Sequence, residues 1–242
     1  KSEINISDYL IYVLLATVCD VMPLRKLNRL IALNALKNFD IKKNLPLITL
    51  FELNEKKNKI NINDLGYLIG PILNAGGRLG KSQYATELLS SNNDLVVNDR
   101  SKSLIKLNDK RKEIENLILE EIDFKKIEKE NKDVIIYYNP NINEGLIGII
   151  AARLKDYFNK PSFVITASNE LLKGSARSIY NYNIGRVIKN SLDQKLILNG
   201  GGHNMAAGFT LDKVNLKDFE NYILKDFLKS NISHDNIFSY ES

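Results

Sequence analysis

The chain has 242 residues, 44% hydrophobic and 26% charged, which is the composition of a globular protein with one large domain or two small ones. The formal net charge of +5 is compatible with a polyanionic partner but does not require one. The single cysteine, Cys19, excludes an internal disulfide, and no apolar run reaches the roughly 18 residues that a membrane span needs. We therefore expect a cytoplasmic protein with no membrane contact.

The first part of the chain is predicted to be helical from its apolar spacing. The predicted helices cover residues 7–24, 28–39, the start of 62–82, 83–91 and, longest of all, about 94–132. Ser7 and Ser82 are expected to act as N-caps, and the first helix should stop before Pro23. The stretch GPILNAGGRLG, residues 70–80, is predicted to be a glycine-rich loop.

After residue 132 the pattern changes, because short strand-like runs now alternate with helical ones. The predicted strands are 133–139, 162–168, 171–179 and 209–211, and the predicted helices are 144–158, 183–192 and 215–230. The sequence therefore predicts an α/β protein in four parts. These are a helical part over 1–107, a connecting helix over 108–132, an α/β domain over 133–230 and a tail over 231–242.

Asp20 is a candidate metal ligand, because it is the one charge between Ile11 and Leu24. A carboxylate buried among Val and Leu is costly unless a partner or a metal compensates it, and oxygen ligands suit Mg²⁺ and Mn²⁺. The alternative is that Asp20 caps a turn or pairs with Arg25 or Arg29. The residues alone favour that alternative, since a lone acid rarely identifies a metal site.

Arg78 lies in the predicted loop among Gly76, Gly77 and Gly80. A guanidinium held by such a loop can make two hydrogen bonds to a phosphate or a carboxylate. An exposed arginine in an ordinary helix–helix connection is the alternative, and the sequence does not decide between the two.

The stretch LLKGSARSI places Lys173, Ser175 and Arg177 on one face of a strand, because strand periodicity is two, and Ser178 follows them. Such a row can follow a nucleic-acid backbone. By itself the stretch favours the alternative, a polar edge strand whose charges discourage association with other sheets.

The stretch NGGGHNMAAGFT contains Gly200, Gly201 and Gly202, followed by His203. Consecutive glycines can expose N–H groups that converge on an anion, and an imidazole can bind a phosphate oxygen or move a proton. A tight turn with a structural histidine is the alternative. We favour binding, with a phosphate group as the ligand.

These segments resemble, in the same order, the RecJ-type single-strand-specific exonucleases of the DHH phosphoesterase superfamily. The resemblance covers about residues 8–228 and is carried by DYLIYVLLATVCDVMPL, IGPILNAGGRLG, LNDKRKEIENLILEEI, EGLIGIIAARL, LLKGSARSI and GGGHNMAAG. The last block is typical of the DHHA1 domain, whereas ATVCDVMPL and GPILNAGGRLG are more particular to RecJ. The resemblance implies the helical end of a DHH domain, joined by a long helix to an α/β DHHA1 domain.

Family resemblance also implies an activity, the 5′→3′ degradation of single-stranded DNA by water that Mn²⁺ or Mg²⁺ activates. Asp20 would then be a metal ligand, and Arg78 would contact DNA or the scissile phosphate. The DHHA1 side would hold the backbone through Ser175, Arg177, Gly200, Gly201, Gly202 and His203, with DNA in a cleft between the domains.

The chain also departs from the family pattern. It contains no DHH triplet and no DxD-type pair, its only histidines are His203 and His234, and Ile142 and Asn143 replace a usual Trp-His. One carboxylate cannot hold two divalent cations. We therefore expect an N-terminally truncated piece without the OB-fold, inactive alone, with a separately encoded DHH half as a candidate partner.

Two other functions remain open. One is a different DHH–DHHA1 phosphoesterase that cleaves short oligoribonucleotides or cyclic dinucleotides, although the RecJ-like blocks argue against it. The other is a non-catalytic nucleic-acid-binding module, since domains similar to DHHA1 also accompany tRNA synthetase chemistry.

Overall fold

The structure is a computed structural model in which residues 6–230 are described, so the tail with His234 lies outside the described residues. The chain divides into two compact units between Glu113 and Ile114. Each unit has its own apolar core. No helix within residues 6–230 is both long and apolar enough to cross a bilayer.

The first unit is helical, as predicted. Its helices are α1 (Leu10–Cys19), α2 (Lys26–Asn38), α3 (Leu45–Leu53), α4 (Gly70–Arg78), α5 (Gln83–Ser90) and the first part of α6 (Asp94–Glu121). Short 3₁₀ turns lie at Ile6–Tyr9 and Ile41–Lys43, and a π-helical segment, Asp64–Ile69, runs directly into α4. The core is apolar and closely packed, with full burial of Leu14, Leu47, Leu50, Leu65, Leu88 and Leu104.

The helix ends differ from the predicted caps. Helix α1 follows a 3₁₀ turn that includes Ser7, and Tyr9 takes the N-cap position, although the helix does end before Pro23. Ser82 stands at the N-cap of α5 without making a side-chain capping bond. Its backbone has helical angles, φ −59° and ψ −31°, whereas a capping side chain usually needs an extended residue.

All but the last two residues of the stretch GPILNAGGRLG form a helix, α4, so the predicted loop is wrong. Close packing explains Gly76 but not Gly77, where an added Cβ would meet nothing within 4 Å. A Cβ on Gly76 would lie 2.6 Å from the carbonyl oxygen of Lys81 and 3.0 Å from Cδ2 of Leu104. Gly80 follows the helix with a φ of +77°, a conformation that glycine adopts at little cost. Arg78 is therefore the last residue of α4.

The second unit is built on a mixed sheet that confirms the α/β prediction. Its strands are β1 (Ile135–Tyr138), β2 (Ser162–Ser168), β3 (Leu171–Arg177), β4 (Asn199–Gly202) and β5 (Ala206–Leu211). Its helices, besides the end of α6, are α7 (Phe124–Glu130), α8 (Ile147–Phe158), α9 (Ile184–Asp193) and α10 (Leu216–Lys229). The strand order is β1-β2-β3-β5-β4, with β1 parallel to β2 and the other neighbours antiparallel.

The longest predicted helix, about 94–132, is interrupted after Glu121. The side chain of Asp123 accepts a hydrogen bond of 2.9 Å from the amide of Lys126 and so caps α7. Leu117, near the end of α6, is 54% exposed. A local capping residue therefore ends a helix that periodicity alone would continue.

The sheet has one face in the core and one face that is only partly covered. On the core face Gly174, Phe209 and their neighbours pack with α9 and α10, and Phe209 lies 4.8 Å from Phe219 between ring centroids. On the other face α8 packs against β2 and β3, where Val164 joins its apolar cluster. Gly201 and Gly208, on β4 and β5, are exposed.

We predict that Gly174→Ala destabilises the fold, whereas Gly208→Ala does not. A Cβ on Gly174 would overlap the ring of Phe209, but a Cβ on Gly208 would approach nothing closer than 3.9 Å. Displacing that ring from the core should lower the free energy of unfolding by about 1–3 kcal/mol in urea titrations. Equal stability of the two variants would contradict the packing described.

Candidate nucleic-acid interface

The partly covered face of the sheet carries a polar strip across β3, β5 and β4. The register places Ser175 beside Gly208 and Gly208 beside Gly201. We define the polar strip as Lys173, Ser175, Arg177, Asn199, Gly201, Ala206, Gly208 and Thr210. The prediction that residues 173, 175 and 177 share one face is confirmed, since the intervening residues of β3 are buried.

The middle row of the strip has almost no side chains. A Cβ on Gly201 would meet nothing within 4 Å, and Gly208 beside it is also exposed. Ser175, at the other end of the row, is partly exposed, and its hydroxyl accepts a hydrogen bond of 3.2 Å from Arg177. A ligand can therefore approach the main chain of β4 and β5 closely.

Arg177 is the half-buried cation of the strip. Its Nη1 donates to the carbonyl oxygen of Ala176 at 2.9 Å as well as to Ser175, and a Cβ on Gly148 of α8 would lie 3.1 Å from its Nη2. Burial lowers the pKa of Arg177, but an arginine stays charged at neutral pH. Within residues 6–230 no carboxylate forms an ion pair with it. An anionic ligand would supply the missing countercharge.

Lys173, at the other end of β3, is already paired. Its Nζ donates to Oε2 of Glu144 at 2.6 Å, and the other carboxylate oxygen accepts a hydrogen bond from Ser168. These two hydrogen bonds, that from Lys173 first, lower the pKa of Glu144. Glu144 precedes α8 in the chain, so sequence reasoning about β3 alone missed it.

The three consecutive glycines belong to strand β4, so they form neither the predicted concavity of converging N–H groups nor the tight turn that was its alternative. Only Gly201 belongs to the strip. A Cβ on Gly200 would lie 2.8 Å from both Ile188 and Ile197, and one on Gly202 would collide with Ala206 and Ala207. Packing therefore explains Gly200 and Gly202, because successive strand residues face opposite sides of a sheet.

His203 begins the loop that joins β4 to β5, and it is exposed. Its amide donates to the carbonyl oxygen of Ala206 at 2.8 Å, and its own carbonyl oxygen accepts a 3.1 Å hydrogen bond from the amide of Gly185. The backbone is thus held between β5 and the start of α9. The imidazole is accessible to a ligand, and its role in phosphate binding stays a prediction.

Ser178 does not belong to the strip, and the assignment of this residue to phosphate binding is corrected. Only 1% of it is exposed, and its hydroxyl donates a hydrogen bond of 2.5 Å to the carbonyl oxygen of Tyr182. Its amide donates to the carbonyl oxygen of Met205 at 2.9 Å. Ser178 follows the end of β3, so its hydroxyl closes the turn that leads to α9.

The other two predicted site residues lie in the first unit. Asp20 is exposed rather than buried among apolar side chains, because α1 ends at Cys19 and Asp20 is its C-cap. Arg78 is partly exposed at the end of α4 and not in a loop. Within residues 6–230 no group of three or more His, Cys, Asp or Glu side chains is placed to hold a metal ion. The roles of Asp20 and Arg78 stay predictions.

The sequence interpretation missed the strip residues contributed by β5 and the residue of α8 against Arg177. Gly208 and Gly148 are isolated glycines inside a strand and a helix. Such glycines often mark a close approach of another group, and this was the available signal. Asn199 and Thr210 carried no signal, since only the strand register brings Thr210 beside Lys173 and Asn199 beside Thr210.

Comparison with known proteins identifies the class of the second unit. The family model of the DHHA1 domain matches residues 131–230, which include all five strands of the sheet. The chain therefore carries a DHHA1 domain, and the predicted class is confirmed.

Over most of its length the chain is similar to proteins described as the single-stranded-DNA-specific exonuclease RecJ. It is 35% identical to RecJ of Haemophilus influenzae over 91% of this chain and 40% of that protein. It is 33% identical to RecJ of Escherichia coli over 89% of this chain and 39% of that protein. The chain thus spans about 40% of the length of these relatives.

A solved structure confirms the fold. RecJ of Thermus thermophilus in complex with Mg²⁺ superposes with a TM-score of 0.79 over 92% of this chain and 35% of that one, at 24% identity. The likeness extends beyond the DHHA1 domain into the helical first unit.

We predict that Ser178→Ala destabilises the fold more than Ser175→Ala does. The first substitution removes a buried hydrogen bond and leaves the carbonyl oxygen of Tyr182 without that donor, which should cost about 1–3 kcal/mol of unfolding free energy. Ser175 is partly exposed and its hydroxyl makes longer hydrogen bonds, of 3.2 and 3.5 Å, so its loss should cost much less. Equal losses in urea titrations would show that Ser178 is not the structural residue of the pair.

Proposed function

We propose that the polar strip binds the phosphate backbone of single-stranded DNA, as part of a RecJ-type 5′→3′ exonuclease. The observation that carries this proposal is the half-buried guanidinium of Arg177 beside the bare row of Ser175, Gly208 and Gly201. The relatives that the chain matches over nine tenths of its length are single-stranded-DNA-specific exonucleases. Single-stranded DNA, named in the description of these relatives, is a polyanion and would supply the phosphates that the polar strip could bind.

The arrangement explains how a backbone could be held without reading its sequence. Arg177 supplies the charge and can make two parallel hydrogen bonds to a phosphate. Ser175 supplies a hydroxyl, and the exposed His203 adds a further donor at the end of β4. The missing side chains at Gly201 and Gly208 let the sugar and phosphate approach the sheet. Contacts of this kind position a strand but carry no base preference.

Hydrolysis would depend on Mg²⁺ or Mn²⁺, the metals expected for this family. The exposed Asp20 belongs to no group of three or more His, Cys, Asp or Glu side chains placed to hold a metal ion in residues 6–230, so these residues alone do not fit such a site. In our proposal Asp20 contributes one ligand, and a DHH region, in the same polypeptide or separately encoded, contributes the others. Arg78 would contact the DNA from the first unit.

We predict that Arg177→Ala weakens binding of single-stranded oligothymidine by about ten-fold or more, since a charge-assisted hydrogen bond is lost. The slope of log K against log salt should become shallower by about one, because the variant makes one phosphate contact fewer and so releases fewer counterions on binding. Fluorescence anisotropy over a salt series measures both. Arg177→Lys keeps the charge but not the paired donors, so its affinity should lie between those of the unaltered chain and of Arg177→Ala.

Arg186→Ala is the matched control, since it removes the same charge from α9, where Arg186 pairs with Asp226 at 3.0 Å. It should change the affinity little. The proposal fails if the chain does not bind single-stranded DNA even at low salt, or if Arg177→Ala and Arg186→Ala have the same effect.

We also predict that the 242-residue chain alone does not digest end-labelled single-stranded DNA in the presence of Mn²⁺. The reason is the ligand requirement, because Mn²⁺ and Mg²⁺ sites draw on several oxygen or nitrogen ligands. Gel analysis of the digestion products checks this. Turnover that Asp20→Ala abolishes would refute the prediction and show that the chain completes a metal site unaided.

A further inference from the structure

We propose that Glu144 keeps Lys173 from contacting phosphate and thereby ends the phosphate-binding part of the polar strip near Ser175. Glu144 would then be a positioning residue that limits how much of the backbone the DHHA1 domain holds. This inference rests on the proposed function, since it concerns the same surface and the same ligand.

The first observation is the geometry around Glu144. Its Oε2 accepts from Nζ of Lys173 at 2.6 Å, and its Oε1 accepts from the hydroxyl of Ser168. Ser168 pairs with Leu171 where β2 meets β3, and Glu144 itself precedes α8. Two neighbouring elements therefore hold the carboxylate at the end of the strip, so it is more than a mobile surface charge.

The second observation is the contrast between the two cations of β3. Both belong to the same face of the strand, four residues apart, which is about 13 Å along an extended chain. Arg177 forms no ion pair with a carboxylate within residues 6–230, whereas Lys173 forms one with Glu144. The strip therefore has a cationic end at Arg177 and an electrically neutral end at Lys173.

The consequence for a phosphate follows from Coulomb's law. A phosphate that approaches Lys173 is attracted by the ammonium and repelled by a carboxylate only 2.6 Å from it, so the net attraction is small. Binding there would require the ion pair to open. The side chains of Lys173 and Glu144 are 46% and 44% exposed, so a ligand can reach both and the pair is not a core feature.

Neutralising Glu144 should therefore add a phosphate contact. We expect Glu144→Gln to tighten binding of single-stranded oligothymidine by about five-fold at low salt, the effect of one charge a few ångströms away in water. The slope of log K against log salt should become steeper by about one. A purely structural role of Glu144 would not change this slope in that direction.

Two further variants isolate Lys173 as the residue through which Glu144 acts. Lys173→Gln alone should weaken binding slightly and leave the salt slope unchanged, because no phosphate contact is lost. Adding Lys173→Gln to Glu144→Gln should return both the affinity and the slope to those of the unaltered chain. The exposed pair contributes little to stability, so urea titrations should find all three variants folded.

The matched control is Glu130→Gln, which removes the same charge from a comparable exposed pair, Glu130 with Lys132 at 2.7 Å, at the end of α7. It should leave the salt slope unchanged. An unchanged or weaker affinity of Glu144→Gln would overturn the inference, and so would a slope that falls by one in Lys173→Gln. Neither outcome touches the proposed function, which fails only if binding is absent or does not depend on Arg177.

Discussion

The guanidinium of Arg177, held half-buried between α8 and β3, is the constraint on which the rest of the site depends. Gly148 on the helix leaves room for it, since a Cβ there would lie 3.1 Å from both Nη2 of Arg177 and the hydroxyl of Ser175, so both side chains would have to shift slightly. Partial burial of a cation without a countercharge costs free energy in the unliganded protein. An anionic ligand would offset that cost, which connects the packing of α8 with binding.

The glycines in the strands of the second unit serve two different purposes, depending on which face of the sheet they lie on. Gly174, Gly200 and Gly202 lie where a side chain would collide with the core or the neighbouring strand, whereas Gly201 and Gly208 leave the open face bare. One face of strands β3, β4 and β5 thus serves packing and the other serves access. This alternation follows from strand periodicity, and it separates structural glycines from those that a ligand can approach.

The two ends of the polar strip along β3 differ in charge. Arg177 is available to an anion, whereas Lys173 is held by Glu144. The domain would therefore grip a short stretch of backbone rather than a long one. If the strip binds single-stranded DNA as proposed, fewer phosphate contacts would let the strand dissociate faster.

The sequence alone determined what depends on local periodicity and composition: the helical first part, the α/β second part, the shared face of Lys173, Ser175 and Arg177, and the resemblance that the comparisons confirmed. Tertiary structure decided the rest, because burial and strand register depend on residues far apart in the chain. It made GPILNAGGRLG a helix, exposed Asp20 and buried Ser178. It also brought Gly208 and Gly201 beside Ser175 and paired Lys173 with a carboxylate 29 residues away.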